Sequence, residues 1–519
     1  AYAAQPGGPG PVLPTEVPGA APGRSGRVVA IVLAVAIVVA GITWGGVYAA
    51  RRIGAAVKHG GSVFGTGSGG GGALGGKSDG GDLKQFNGSP ITISGSGVAG
   101  AVVGADAVYY ATVTTGHTNV RAVPLPGTTG GPSWQQTPQL EPASLAMTLV
   151  NGLLILDGKS DNTANGKDVR VVLDAKTGKT RWKGEWSTFW QHDIAYLGTD
   201  VIFTNTFDNY VKRVRLTDGH TVWTHPEPAD ILADPYAKVP LAWPASIGTP
   251  IAAVPRSGKD AELPFQEPLV ADGSRVVVLY SDDSTGEVLD TRTGHPLVRP
   301  GSLPLKADGI DDPWTVYDGL VIGADKGSAG LVGSGVGDLK QKWRYPLPAG
   351  ADVRLVKACG QHLVCVSSEV GSGYQVMAVD TRNGTAAWSK PLAVDQEPVW
   401  YLAGQRVVYG DGTFASVGRN GAPASVLDPG KGTASPLGDS VSAYGGDGRY
   451  QSLVQTRVVS GRVDWLVSMV DIDTGKQTGW LDTGQSNTAP KVSVTGTGLA
   501  VLSGGGRLYL AQASGLAAR

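Results

Sequence analysis

The chain has 519 residues, with 43 lysines and arginines against 44 aspartates and glutamates, so it lacks the basic excess that a polyanion binder needs, and nucleic acid is not an expected partner. Hydrophobic residues make up 41% of it, enough to bury a core, which excludes a wholly disordered chain. The 78 glycines point to many tight turns together with a low-complexity stretch.

Residues 1–26 hold six prolines and six glycines with no apolar period, the composition of a disordered tail. The chain opens on Ala, as a processed or truncated N-terminus would. Residues 27–50 are expected to form one transmembrane helix. The run VVAIVLAVAIVVAGITWGGVYAA, residues 28–50, is uncharged, and Arg27 precedes it while Arg51 and Arg52 follow. At about 1.5 Å per residue it can cross a hydrocarbon core of about 30 Å. Trp44 and Tyr48 fit an interfacial aromatic belt. A cleaved signal peptide would have a shorter apolar core and a small-residue cleavage site.

Residues 51–88 read as a Gly-rich flexible linker. Gly71, Gly76, Lys77 and Ser78 match the spacing of a phosphate-binding loop, but no strand delivers them and no helix follows to aim converging amides. The match is a by-product of the Gly tract.

From residue 89 strand signals begin, with ITISGSG and then VVGADAVYYATV. The stretch VVLDAKTGKTRW, residues 171–182, reads as a strand end, a turn and a new strand. Asp174 can accept from turn amides, Gly178 can take positive φ, and Trp182 opens the next strand. Degenerate copies recur roughly every 41 to 50 residues over much of the region. They are LTDGHTVW with Trp223, LDTRTGHPL with Asp290 and Gly294, GVGDLKQKW with Trp343, VDTRNGTAAW with Asp380, Gly384 and Trp388, LDPGKGTAS with Asp428, and VDIDTGKQTGW with Asp473, Gly475 and Trp480. A worn first copy, VPLPGTTGGPSW, ends at Trp134.

A period in the forties with strands throughout is that of a radial β-repeat. The expected fold is all-β: residues 89–519 form a single closed β-propeller, of eight blades with seven as the alternative. Its last hairpin, KVSVTGTGLAVLSGGGRLYLAQ, shares a blade with the first strand and so removes free edges. Between Gly219 and Gly294 the spacing stretches to 75 residues, and its Pro-rich excess reads as a long excursion on one face.

The run "apolar, apolar, Asp, x, x, Thr-Gly, x, x, x, Trp", recurring over roughly residues 90–512, resembles the repeat of quinoprotein-type, PQQ-binding-like β-propellers. That group holds quinoprotein dehydrogenases and the cofactor-free lipoprotein scaffold of the outer-membrane β-barrel assembly machinery. The alcohol-oxidising members carry an adjacent cysteine pair, a calcium site and a cofactor-stacking Trp. Here no CysCys string and no cofactor signature occur, so no cofactor is expected.

The two cysteines, Cys359 and Cys365, flank a GQH turn that can set them across a hairpin. A disulfide is the expected state, and two buried free thiols are the alternative. No GxSxG elbow stands on a strand-turn-helix, and HExxH is absent. The seven histidines are scattered, and His220 and His295 directly follow turn glycines. The oxygen-rich stretches at residues 157–168 and 281–287 lack the spacing of a calcium loop, so no metal site is expected. Each repeat Asp belongs to its own turn and reads as structural. The recurring Trp residues read as fillers between blades.

The expectation is a non-enzymatic module, tethered in the cytoplasmic membrane by residues 28–50, that presents loops to another protein or an envelope component. The alternative is a quinoprotein-like oxidoreductase or a ligand sensor using the central funnel. The flanking arginines do not favour an outside C-terminus, but the cysteine pair and the membrane-anchored members of the resembling group place the propeller outside the cytoplasm.

Overall fold

Strands with inward-facing valines and leucines joined by Asx turns give antiparallel meanders, and the computed structural model is built of them. It describes residues 83–85, 91–92 and 98–513, the last with breaks of which the longest are 227–239, 259–268 and 412–424. These residues lie in the unit Leu74–Arg519, separate from Ala1–Ala73. Residues 1–26 and 27–50, read as tail and membrane helix, lie outside the described residues. Among the described residues no helix is long and apolar enough to cross a membrane.

The fold is all-β and propeller-like. Among the described residues the strands form nine antiparallel meanders in chain order. The first eight span residues 98–136, 146–185, 191–225, 240–302, 314–346, 352–392, 398–436 and 441–485, and the ninth spans residues 491–513. Eight blades were expected from eight copies of the turn. Each copy does join the third and fourth strands of one sheet, while the ninth sheet has no copy and is instead completed by N-terminal strands. Leu83–Gln85 pairs with Arg507–Ala513, and Ile91–Thr92 pairs with the same strand. The pairing therefore begins at Leu83, inside the stretch 51–88 read as linker.

Consecutive sheets share cores. Leu140, Leu145 and Met147 join the first to the second, and Ile155 and Val172 meet Tyr196 and Phe203 of the third. Val454 and Val467 of the eighth sheet pack on Val494 and Val501 of the ninth. Ala101, Val103 and Tyr110 of the first sheet pack on Ala500, Leu508 and Leu510 of the ninth, where the Val103 amide also donates to Ser493 Oγ at 3.1 Å. Alternate side chains of each strand thus face the two neighbouring sheets, which is why the strands read as apolar runs.

The recurring Trp has a definite place: the ring on the fourth strand of one sheet lies on the turn glycine of the next. Trp134 covers Gly178, Trp182 covers Gly219, Trp223 covers Gly294, Trp343 covers Gly384 and Trp388 covers Gly432. Gly178 has φ 71°, and a Cβ there would come within 2.6 Å of the ring. The indole N–H of Trp134, Trp223 and Trp343 donates to the carbonyls of Ala175, Thr291 and Thr381, respectively, at 2.9, 2.8 and 2.6 Å.

The fourth copy carries Val298 at the Trp position, and the turn it faces carries Leu339 where the others carry Gly. Leu339 keeps the same turn hydrogen bond, to Gly335 O at 2.7 Å, at φ 54°. With no ring above it the site has room for a side chain, and Leu339 is buried beside Val298.

In the last copy, Asp473 and Gly475 lie outside the described residues. Asp471 ends the strand Arg462–Asp471, opposite Tyr450.

Described parts of the excursion after Gly219 pair with the first strands of two other sheets. Arg256–Gly258 pairs with Ala146–Val150, the first strand of the second sheet. Leu269–Val270 pairs in parallel with Gln191–Leu197, the first strand of the third. These first strands are neighbours: Val98–Val103 lies against Ala146–Val150 and Lys491–Thr495, and Pro240–Pro244 lies against Gln191–Leu197 and Trp314–Tyr317.

Candidate functional site

The turns that carry the repeat aspartates form a recurring polar motif. Asp174 Oδ1 accepts from the Thr177 amide and hydroxyl at 2.8 and 2.9 Å. Asp290 Oδ1 accepts from the Arg292 and Thr293 amides, both at 2.9 Å, and Asp380 Oδ1 accepts from the Arg382 amide at 2.9 Å. Arg181 holds the Asp174 carboxyl below the usual carboxylate range, Arg382 does the same for Asp380, and the Thr293 amide does it for Asp290. Paired charges recur beside these turns: Arg181 with Asp174, Arg215 with Asp218, Lys342 with Asp338 and Arg382 with Asp380. Each pair neutralises itself on its own sheet, so the aspartates do not converge as an acid-base couple.

Three polar clusters join strands that the sequence keeps apart. In the first, Arg170 is 1% exposed and donates to both oxygens of Asp157, at 2.6 and 2.8 Å, while its guanidinium lies 3.7 Å from the Trp186 ring centroid. Asp157 opens the stretch weighed above as a calcium loop, and its carboxylate is engaged with the arginine. In the second, buried Glu287 takes His225 Nε2 at 2.6 Å and also accepts from the Tyr280 hydroxyl. Burial, with Glu287 alongside, holds the Tyr280 hydroxyl far above its ordinary value.

The third cluster lies between the fifth and sixth sheets. His362 Nδ1 is 2.7 Å from Asp318 Oδ2, which also accepts from Thr381 Oγ1 at 2.5 Å. Tyr317 donates to Gly360 O at 2.7 Å and accepts from the His362 amide, and burial pushes its hydroxyl up to about 12. Cys359 and Cys365 are bonded to each other, with Cα atoms 5.6 Å apart, and clamp the turn that carries His362.

These clusters were not legible as sites. Their one sequence signal is a charge at mid-strand, such as Arg170 in DVRVVLD or Glu287 in TGEVLD, where the pattern calls for apolar residues. Among the described residues no three of His, Cys, Asp and Glu converge to hold a metal ion. His220 and His295 are exposed.

A family model described as outer membrane protein assembly factor BamB matches residues 116–258 and 166–421. Among solved structures, BamB from Moraxella catarrhalis is 16% identical at a TM-score of 0.38, over 83% of this chain and 99% of that one. The computationally designed Ika8 protein is 14% identical at 0.39, over 71% and 96%. Dihydro-heme d1 dehydrogenase NirN in complex with DHE is 14% identical at 0.36, over 76% and 79%. No curated protein matches.

Proposed function

Because the chain belongs to the family of the outer membrane protein assembly factor BamB, we propose that it is a non-enzymatic propeller that binds protein at the cell envelope. In this reading its sheets close into a ring, which the pairing of the N-terminal strands with Arg507–Ala513 supports. The ring is tethered by residues 28–50 and stands outside the cytoplasmic membrane. A Gly-rich leash there keeps it near its membrane and raises its effective concentration for a partner in the same plane.

The observation that carries this reading is the repeated turn. The second and sixth sheets present an Asx turn with a flanking ion pair at Asp174 and Asp380, and the third and fifth carry an ion pair at Asp218 and Asp338 in the corresponding turn, a recurring polar surface. Such a surface suits recognition of another protein's charged groups, where complementarity sets partner choice and encounter rate.

The test is photo-crosslinking in intact membranes, with a photoreactive residue placed at Arg181, Lys342 or Arg382. The expected result is a discrete adduct with one envelope protein from these positions. Absence of a protein adduct from all three would overturn it, as would quinone-dependent dye reduction once PQQ and calcium are supplied. Protease added to whole cells should cleave after Lys58 without lysis; protection until lysis would reverse the orientation.

A further inference from the structure

Sheets that end on a strand expose a row of unpaired amides and carbonyls, ready to pair with any extended chain. The second and third sheets do not end on their first strands. Arg256 stands opposite Thr148, Ser257 opposite Met147 and Gly258 opposite Ala146, while Leu269 and Val270 stand beside Ala195 and Tyr196. Ala252–Ala253 pairs in turn with Leu269–Val270.

The same excursion reaches other sheets. Arg256–Gly258 lies against Val98–Val103 and Lys491–Thr495, and Ala252–Ala253 lies against Pro398–Ala403. First strands of five sheets thus meet one stretch of chain. By contrast, Trp314–Tyr317 and Asp352–Gly360 end their sheets with no further strand among the described residues.

The pairings are short, three residues in one case and two in the others. Short pairings carry few hydrogen bonds, and they close a long loop at an entropic cost. They are held mainly by being part of the same chain.

We propose that Ala252–Ala253, Arg256–Gly258 and Leu269–Val270 are a self-supplied occupant of an extended-peptide site. The site is the free edges of Ala146–Val150 and Gln191–Leu197, and a strand from a protein partner pairs there when the occupant is displaced. This rests on the protein-binding reading and adds to it a second, inner docking edge recognised through main-chain hydrogen bonds.

Hydrogen exchange on the intact protein gives the first test. The amides of Ala146–Val150 should exchange about tenfold or more slowly than the faster of the Thr315 and Val316 amides on the end strand Trp314–Tyr317, since pairing sets local opening. Equal rates would overturn the proposal. The second test uses the double variant Arg256→Pro/Ser257→Pro. Alternate residues of a strand point their amides at the neighbour, so two adjacent prolines remove at least one donor to Ala146–Val150.

A photoreactive peptide of residues 251–259, IAAVPRSGK, should then label residues 146–150 of the variant with about tenfold the yield seen on the parent, whose tethered strand competes at high effective concentration. Equal labelling of both, or none of the variant while its exchange elsewhere matches the parent, would sink the idea. If the variant does not fold, the exchange comparison on the parent decides alone. Membrane crosslinking that captures a partner while both tests fail removes only the inner site. Success here with no captured partner removes the rim-binding reading.

Discussion

At the scale of single residues, the turn glycines and the tryptophans above them act as pairs. Gly384 has φ 69°, and a Cβ there would lie 2.7 Å from the Trp343 ring. Gly384→Ala should cost roughly 1–3 kcal/mol by overpacking, read as a lower denaturation midpoint. The chain's own exception supplies the control, because Val298 with Leu339 shows the pair exchanged together. Gly384→Leu should therefore cost less in a Trp343→Val background than in the parent, with a coupling of about 1 kcal/mol or more. Additive costs would mean that ring and glycine are independent.

The repeat aspartates give a pH prediction with a fixed sign. Asp174, Asp290 and Asp380 have folded values below the 3.8 of an ordinary carboxyl, so the unfolded chain takes up protons more readily. The stability they add is present above about pH 4 and is lost as pH falls through their folded values. The melting temperature should drop over that acid window, and less steeply in Asp174→Asn/Asp290→Asn/Asp380→Asn. These turns were legible in sequence because their chemistry is local: an acceptor, two or three amides and a glycine within five residues. The aspartates of VDIDTG show the limit: Asp471 closes its strand opposite Tyr450, and Asp473 lies outside the described residues.

At the scale of elements, the contacts between sheets lie beyond such local signals. Arg170 and Asp157 sit on adjacent strands of the second sheet, but what buries them is Trp186 and the third sheet, which no spacing rule connects. Asp157→Ala leaves the guanidinium buried without its counter-charge and should cost about 3–5 kcal/mol, whereas Asp157→Leu/Arg170→Met should recover most of that loss. A single variant as stable as the parent in a denaturant titration would show that the arginine finds water instead.

The Cys359–Cys365 bridge closes a six-residue separation around the turn that bears His362. Replacing both cysteines by alanine should cost about 2 kcal/mol by the loop-entropy relation. Amide exchange near His362 should rise more than exchange in the neighbouring sheets. The hairpin was foreseeable from the GQH turn; its docking through Asp318 was not, because Asp318 is 44 positions away in the chain.

At the scale of the whole molecule, the period in the forties was enough to read an all-β, propeller-like chain, because each sheet repeats one strand-turn-strand unit. The sharing of the last hairpin's sheet with N-terminal strands was legible, but that this sheet stands in addition to the eight turn-bearing ones was not, because it carries no copy of the turn. The excursion's pairings with other sheets were hidden because backbone pairing leaves no side-chain pattern in so few residues.

If the ring is closed, the rim is a single surface and the first-strand edges are a shared site. In the clasp, Lys84 stands opposite Gln512. The most direct measurement is the double variant Lys84→Cys/Gln512→Cys, oxidised in the intact protein and examined by mass spectrometry and thermal melting. The bond should form within one molecule and raise the melting temperature of the sheets as one cooperative transition. Failure to form it in the folded protein, or a bond that leaves the first and ninth sheets melting separately, would contradict a closed ring.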